Sequence, residues 1–281
     1  MMRISWPAGL VAVLAAALAG CVVTPYSPPP PEVAPSQPPP AAYETTEEQA
    51  PEAPPPLPVY DQPPAPEEGY VWIPGVWRWG PEGYFWVPGT WVAPPQVGFL
   101  WTPGYWAFVG TVYAFHPGHW GEHVGYYGGI NYGHGYYGSG YVGGRWVNNT
   151  YQYNTAVTNV NVTNIHNVYR ENVVNNVNIS NTNITRVSYV GGGGTHAQPT
   201  HAETAVAREP RMAPTQTQLQ HHDTARITPQ QNAARNQGRP PIAATPRANA
   251  YTEHGVTAAK PVGPVYHPQR PPAPHEEKSG H

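Results

Sequence analysis

The fold is decided by the eight-residue stretch YVWIPGVW, which runs from Tyr70 to Trp77. It returns as YFWVPGTW from Tyr84, FLWTPGYW from Phe99 and YAFHPGHW from Tyr113, at intervals of 14, 15 and 14 residues. We call each unit an octet. Every octet reads aromatic, apolar, aromatic, variable, Pro, Gly, variable, Trp, and Phe115 stands where the other three have Trp. Such regular recurrence indicates a tandem repeat.

Each octet predicts a chain reversal at its Pro-Gly pair, because Pro sets φ for the first central position of a type II turn and Gly accepts the positive φ of the second. Trp72 would then face Trp77 across the turn. An L-Pro-Gly turn has the wrong twist for a two-residue hairpin, so a register one residue wider remains open. Single hairpins are marginal in water, so we expect the units to join one small antiparallel sheet or meander, giving a mostly β fold. The predicted turns and facing aromatics are Pro74, Gly75, Pro88, Gly89, Pro103, Gly104, Pro117 and Gly118, and Trp72/Trp77, Trp86/Trp91, Trp101/Trp106 and Phe115/Trp120.

The octets resemble the YXWGXW-repeat (WXXGXW repeat) family of bacterial lipoproteins. The matching cores are Trp72 to Trp77, Trp86 to Trp91, Trp101 to Trp106 and, with its Phe, Phe115 to Trp120. This resemblance covers about 51 residues and implies no activity or site residue. It leaves two interpretations of the rings: the core of a small sheet, or an exposed platform on which a sugar or wall polymer stacks.

The amino terminus predicts that the protein is located in the cell envelope. Arg3 precedes an apolar run, Ala8 to Ala19, that is too short to span a bilayer. The run ends in Leu18, Ala19, Gly20 and Cys21, which resembles the lipobox of bacterial lipoproteins. That resemblance implies a signal peptide at residues 1–20 and a membrane lipid on Cys21, the only cysteine. By the sorting rule of enteric lipoproteins, Val22 implies the outer membrane.

Composition divides the rest of the chain into four blocks. Residues 22–69 hold 17 Pro and eight acids without Lys or Arg, which favours an extended, disordered linker. Thr200 and Glu203 predict a capped helix start, whereas Pro214 and Pro229 limit any further helix. The blocks are a lipidated linker (21–69), aromatic repeats with a Gly/Tyr-rich extension (70–147), an Asn/Val-rich β-prone segment (148–194) and a disordered tail with short marginal helices (195–281).

The Asn/Val-rich block has two interpretations. Its β-branched residues and Asn argue against helix. They predict short strands, broken by Asn turns, that add to the sheet. The alternative is a segment that orders only by self-association, since Asn ladders favour cross-β stacking.

Several functional classes find little support in these residues. Residues 70–190 contain no Asp, Lys or Cys and only three Glu, so we expect no enzyme and no cofactor beyond the lipid. No block is basic, so we expect no nucleic-acid partner. His116, His119 and His123 are weak metal candidates whose spacing matches no zinc signature, and we expect no metal.

The sequence therefore predicts a noncatalytic envelope protein, held by its lipid, with a structural or interaction role. The alternative is a glycan-binding module for peptidoglycan or exopolysaccharide that uses exposed Trp and Tyr. Binding requires the octet rings to be exposed in a row, whereas a structural role requires them to be buried.

Overall fold

The structure is a computed structural model that describes residues 48–173, 186–262 and 265–267. Short strands dominate it, so the predicted mostly β class is confirmed. The helices are α1 (His201–Val206), α2 (Gln216–Ile227) and α3 (Ala233–Asn236), with a turn of 3₁₀ helix at Pro229–Gln231. The strands are β1 (Gln49–Ala50), β2 (Val71–Ile73), β3 (Val76–Gly80), β4 (Gly83–Val87), β5 (Gly89–Val92), β6 (Leu100–Thr102), β7 (Tyr105–Val109), β8 (Val112–His116), β9 (His119–Gly121), β10 (Asn131–Gly133), β11 (Tyr136–Tyr137), β12 (Gly144–Val147), β13 (Thr150–Asn154), β14 (Val168–Tyr169), β15 (Tyr189–Val190) and β16 (Ala244–Thr245).

Two octets together build one long hairpin. In the first hairpin, residues 71–92, β2 pairs with β5 and β3 pairs with β4 in a single register. Because that register does not shift between the two pairs of strands, Pro74 lies opposite Gly89, and Gly75 lies opposite Pro88. The second hairpin, residues 100–121, repeats this arrangement with β6 to β9. We call the place where the two arms meet at Pro and Gly the Pro-Gly crossing.

The predicted reversal at each Pro-Gly pair is wrong. The chain reverses instead between Gly80 and Gly83 and between Val109 and Val112, and it continues straight through the crossings. Glycines at the true reversals have positive φ, 91° at Gly83 and 63° at Gly110, whereas the four crossing glycines are absent from the described glycines with positive φ. The physical reason is the twist of an L-Pro-Gly turn, which does not match that of the flanking strands.

The expected single sheet is also wrong, because the described strands form six small sheets. Pro has no backbone N–H and interrupts the ladder, so each hairpin divides into two sheets at its crossing. Strands from elsewhere in the chain then extend some of these sheets. The orders are β3-β4, β2-β5-β16, β6-β9, β1-β8-β7-β15, β10-β11 and β12-β13-β14, so the Asn/Val-rich block contributes β13, β14 and β15.

The inner part of the expected linker is ordered. Residues 48–69 lie against the hairpins, with Leu57, Tyr60 and Ala65 buried in the aromatic core. A Pro-rich segment suits this place because it has few N–H groups to satisfy, while its carbonyls remain free to accept hydrogen bonds. The disorder expected for residues 48–69 is therefore wrong.

The tail is also ordered over residues 195–262. α1 begins with the predicted capping box of Thr200 and Glu203. α2, with 12 residues, fits between Pro214 and Pro229 and was not predicted. Thr215 and Gln218 form its capping box, and its contacts with the hairpins are largely polar, which a search for apolar periodicity does not detect.

Several predictions fall on residues outside the described ranges. They include the signal peptide, the lipobox at Leu18, Ala19 and Gly20, the lipidated Cys21 and the linker as far as residue 47. Residues 174–185 of the Asn/Val-rich block and residues 268–281 of the tail also lie outside. Within the described ranges, no helix is both long and apolar enough to cross a membrane.

Candidate functional site: the Pro-Gly crossings and the cleft between the hairpins

The octet rings, by which we mean the eight aromatics at the third and eighth positions of the octets, are all buried, with relative exposures between 0% and 6%. The sequence identified the rings correctly but not their partners, which come from the opposite octet of the same hairpin. Ring centroids lie 5.1 to 5.3 Å apart in tilted or edge-to-face arrangements. Each such contact adds about 0.5 to 1.5 kcal/mol beyond the burial of area. The pairs are Trp72/Trp91, Trp77/Trp86, Trp101/Trp120 and Trp106/Phe115.

The crossing glycines are required by the rings of the opposite arm. A Cβ placed on Gly89 would lie 2.7 Å from the Trp72 ring, and one on Gly104 would lie 2.6 Å from the Phe115 ring. Gly75 and Gly118 meet Trp86 and Trp101 in the same way. The Trp-x-Pro-Gly order thus places an aromatic ring over the glycine of the partner octet. This explains why Gly follows Pro in each octet without any turn.

Several indole N–H groups attach the flanking segments to the hairpins. Trp91 donates to the carbonyl oxygen of Pro63 at 2.9 Å, and Trp86 donates to that of Ala243 at 2.9 Å. Trp120 donates to the side-chain oxygen of Gln218 in α2 at 2.7 Å. Buried polar groups need such partners, so the flanks complete the aromatic core.

The two hairpins are joined at equivalent positions of their first arms. Trp106 donates a 2.8 Å hydrogen bond from Nε1 to the carbonyl oxygen of Trp77, which lies 29 residues earlier. The buried hydroxyl of Tyr136 lies 2.8 Å from the carbonyl oxygen of Trp101 and 3.3 Å from that of Trp72. The Gly/Tyr-rich extension therefore connects the two repeats.

A cleft of about 600 Å³ lies between the two hairpins and α2. All four crossing prolines line it, and α2 supplies Leu219. Among the described residues of its lining, the Asp, Glu, Lys or Arg side chains are Glu48 and Arg78, which form an ion pair at 2.6 Å. The size is in the range of small-ligand pockets, and the ion pair leaves the lining without net charge from these groups.

α2 is held over the cleft by His221, which is 2% exposed. Its Nε2 lies 3.0 Å from the carbonyl oxygen of Pro88, and its Nδ1 accepts the N–H of Asn249 at 3.1 Å. These two bonds define the neutral Nε2–H tautomer. Burial lowers the pKa of His221 to about 4, against the smaller opposing effect of the bond to Pro88.

The three candidate metal ligands have separate surroundings. The ring of His116 stacks on Tyr105 at 4.6 Å, and His123 contacts Glu209 at 3.0 Å. Burial, with a smaller effect of Arg211, lowers the pKa of His119 to about 4. The described part of the chain contains no group of three His, Cys, Asp or Glu side chains arranged for a metal.

Sequence reasoning missed the cleft and the residues that close it. The capping box of Thr215 and Gln218 signals α2, but no pattern marks Gln218 as the acceptor of Trp120. Ala243 acts through a backbone carbonyl, which leaves no signature in the sequence.

The geometry defines a class of protein built from paired aromatic hairpins with Pro-Gly crossings. Residues 69–92 and 97–120 each match the family model of the WXXGXW repeat, so the chain carries two copies of this repeat. Each copy corresponds to one hairpin of two octets. No curated protein and no solved structure matches the chain.

Proposed function

We propose that this is a noncatalytic cell-envelope protein, anchored by lipid on Cys21, whose repeat module has a structural or interaction role. The observation that carries the structural role is the burial of the octet rings within the module. They are buried, and four of their indole N–H groups bind carbonyl oxygens of the same chain, those of Pro56, Pro63, Ala243 and Trp77. Rings in that state form the core of the module and are not available for stacking on a ligand.

The same observation weighs against a glycan platform made of these rings. Stacking requires an aromatic face that a polymer can reach, and Trp72, Trp77, Trp91 and Trp120 are each 0% exposed.

The lipid anchor is supported by the lipobox resemblance at Leu18 to Cys21. Val22 supports the outer membrane as the location of the anchor.

The anchor is tested by feeding an alkyne-tagged fatty acid to bacteria that express the full chain. The proposal expects label on the wild-type protein, recovered in the outer-membrane fraction, and none on Cys21→Ser. The control is Ser5→Ala, which leaves the lipobox intact. Label that persists on Cys21→Ser, or a wild-type protein without label, would overturn the anchor.

The role of the rings is tested on the chain from residue 22, produced without lipid. We expect blue tryptophan emission that iodide does not quench and that purified wall fragments or exopolysaccharide leave unchanged. Red, quenchable emission that becomes protected on adding one polymer would replace this proposal with the glycan-binding one.

A further inference from the structure

The two Pro-Gly crossings have unequal surroundings. In the first hairpin, a segment of the same chain covers the crossing: β16 runs parallel to β5, and Ala244 pairs with Gly89. The carbonyl oxygen of Ala243 accepts the N–H of Gly89 at 3.0 Å and the indole N–H of Trp86 at 2.9 Å. Residues 240–245 thus form a bound segment that ends in the short strand β16, with Ala243, Ala244 and Thr245 each 0% exposed.

Among the described residues, no strand covers the equivalent place in the second hairpin. Gly118 corresponds to Gly89, and it lines the cleft. Within the described ranges, its backbone N–H makes no hydrogen bond. Phe115 corresponds to Trp86, but its side chain has no N–H to donate. The fourth octet therefore departs from the pattern at the residue whose side chain would otherwise bind such a segment.

The chain approaches this place and then turns away. Met212 forms an antiparallel bridge with Trp120, with hydrogen bonds of 2.9 Å in both directions. Continued by two residues, that bridge would bring residue 214 beside Gly118. That residue is Pro214, which lines the cleft with Gly118 but has no backbone N–H to continue a ladder. The chain enters α2 at Gln216, so the pairing ends before it reaches Gly118.

We propose that the cleft binds an extended, uncharged peptide segment of a partner protein, whose backbone carbonyl accepts the N–H of Gly118 as Ala243 does for Gly89. This is recognition by strand addition, in which backbone hydrogen bonds provide affinity and side-chain pockets provide specificity. This inference rests on the interaction role proposed above, because it names the kind of partner. It does not rest on the lipid anchor, since the peptide can bind without the lipid.

The lining of the cleft determines which peptide fits. Leu219, Ile73, Val87 and the crossing prolines favour small apolar side chains and Pro, as in the Pro-Pro-Ile-Ala-Ala-Thr sequence of residues 240–245. Arg78 is neutralised by Glu48, and its guanidinium lies over the Phe115 ring at 4.4 Å. Arg78 and Glu48 already bind each other, so neither is free to pair with a charged residue of the peptide.

The test is an amide NMR titration of the ¹⁵N-labelled chain from residue 22 with a capped synthetic peptide that has the sequence of residues 240–245. We expect the Gly118 amide to shift and to exchange more slowly with solvent, whereas Gly89, already bonded to Ala243, stays unchanged. Leu219→Trp fills the cleft and should weaken binding at least about tenfold, which is 1.4 kcal/mol. Gln220→Trp, on the exposed side of α2, is the matched control and should bind as the wild type does.

Three results would overturn the proposal: no binding of the peptide, shifts that spare Gly118, or a Gly118 amide that is already protected without peptide, which would mean that the chain itself occupies the cleft. The Gly118 readout needs no variant, so it remains decisive if Leu219→Trp fails to fold. The titration uses no lipid, so its failure is distinguishable from a failure of the Cys21 labelling experiment.

Discussion

The indole N–H of Trp106 donates a 2.8 Å hydrogen bond to the carbonyl oxygen of Trp77, the residue that holds the same position in the preceding hairpin. Trp106 is 1% exposed and Trp77 is 0% exposed, so neither partner of this bond can turn to water instead. The bond joins the two repeats at equivalent positions. The two hairpins therefore share one buried contact and do not pack as independent units.

Removing that bond while keeping an aromatic ring should separate its energy from the packing. We expect Trp106→Phe to lower the free energy of unfolding by about 1 to 3 kcal/mol, because the buried Trp77 carbonyl loses its partner. The measurement is unfolding by guanidinium chloride. Trp79→Phe is the control at a half-buried ring and should change stability by less than about 0.5 kcal/mol. Equal effects of the two substitutions would contradict the role of the bond.

The crossing glycines should not tolerate even one added carbon. Gly104→Ala places a Cβ 2.6 Å from the Phe115 ring and 2.8 Å from the Gly118 nitrogen, so we expect a loss of about 1 to 3 kcal/mol. Gly121→Ala, in β9 of the same hairpin, has its nearest atom at 3.5 Å and serves as the control. Thermal unfolding of the two variants compares them. A Gly104→Ala protein as stable as Gly121→Ala would show that the arms are not in close contact.

Gln218 should be part of the fold, although it lies in what the sequence presents as a tail. Its side-chain oxygen accepts the indole N–H of Trp120 and the backbone N–H of Thr215. We expect Gln218→Leu to cost about 2 to 3 kcal/mol, since it leaves a buried donor unpaired and removes a cap. The exposed Gln220→Leu should be close to neutral. Denaturant unfolding would contradict this account if both variants matched the wild type.

Stability should fall as the pH drops below about 6.5. The pKa of His221 is lowered to about 4 in the folded chain, so between these values the unfolded chain binds a proton that the folded chain does not. From pH 7.5 to pH 5 this one group should remove about 2 kcal/mol from the free energy of unfolding.

The comparison of His221→Gln with the wild type at the two pH values isolates this effect. The variant should lose less stability on acidification than the wild type, whatever its stability at pH 7.5. Gln220→Ala, at an exposed position of the same helix without a titratable group, is the control and should retain the wild-type pH dependence. An unchanged pH dependence in His221→Gln would mean that His221 does not carry the effect.

How far the sequence determines this structure depends on the type of contact. The octets predict which rings pack, because aromatic side chains at fixed spacing must share a core. They do not predict which rings pair, since Trp-x-Pro-Gly-x-Trp is compatible both with a turn at Pro-Gly and with a strand that continues through it. The true reversal lies between the first two octets, at Gly80 and Gly83. These glycines can be recognised as a turn only after the two octets are known to pair with each other.

The flanks were misjudged for a different reason. Composition and apolar periodicity detect segments that bury side chains, but residues 56, 63 and 243 act through backbone carbonyls that every residue possesses. Gln218 and His221 are polar residues on a helix without a strong apolar face, so their burial has no signal in the pattern. The cleft follows from these contacts and could not be predicted without them.

The most direct test of the central claim is a measurement of ring contacts by nuclear Overhauser effects in the chain from residue 22, with indole signals assigned through single Trp→Phe variants. The account predicts contacts between Trp72 and Trp91 and between Trp77 and Trp86, whose ring centroids lie 5.3 and 5.1 Å apart. Contacts between Trp72 and Trp77 and between Trp86 and Trp91 instead would show that the chain reverses at each Pro-Gly pair, and would contradict the paired-octet hairpin.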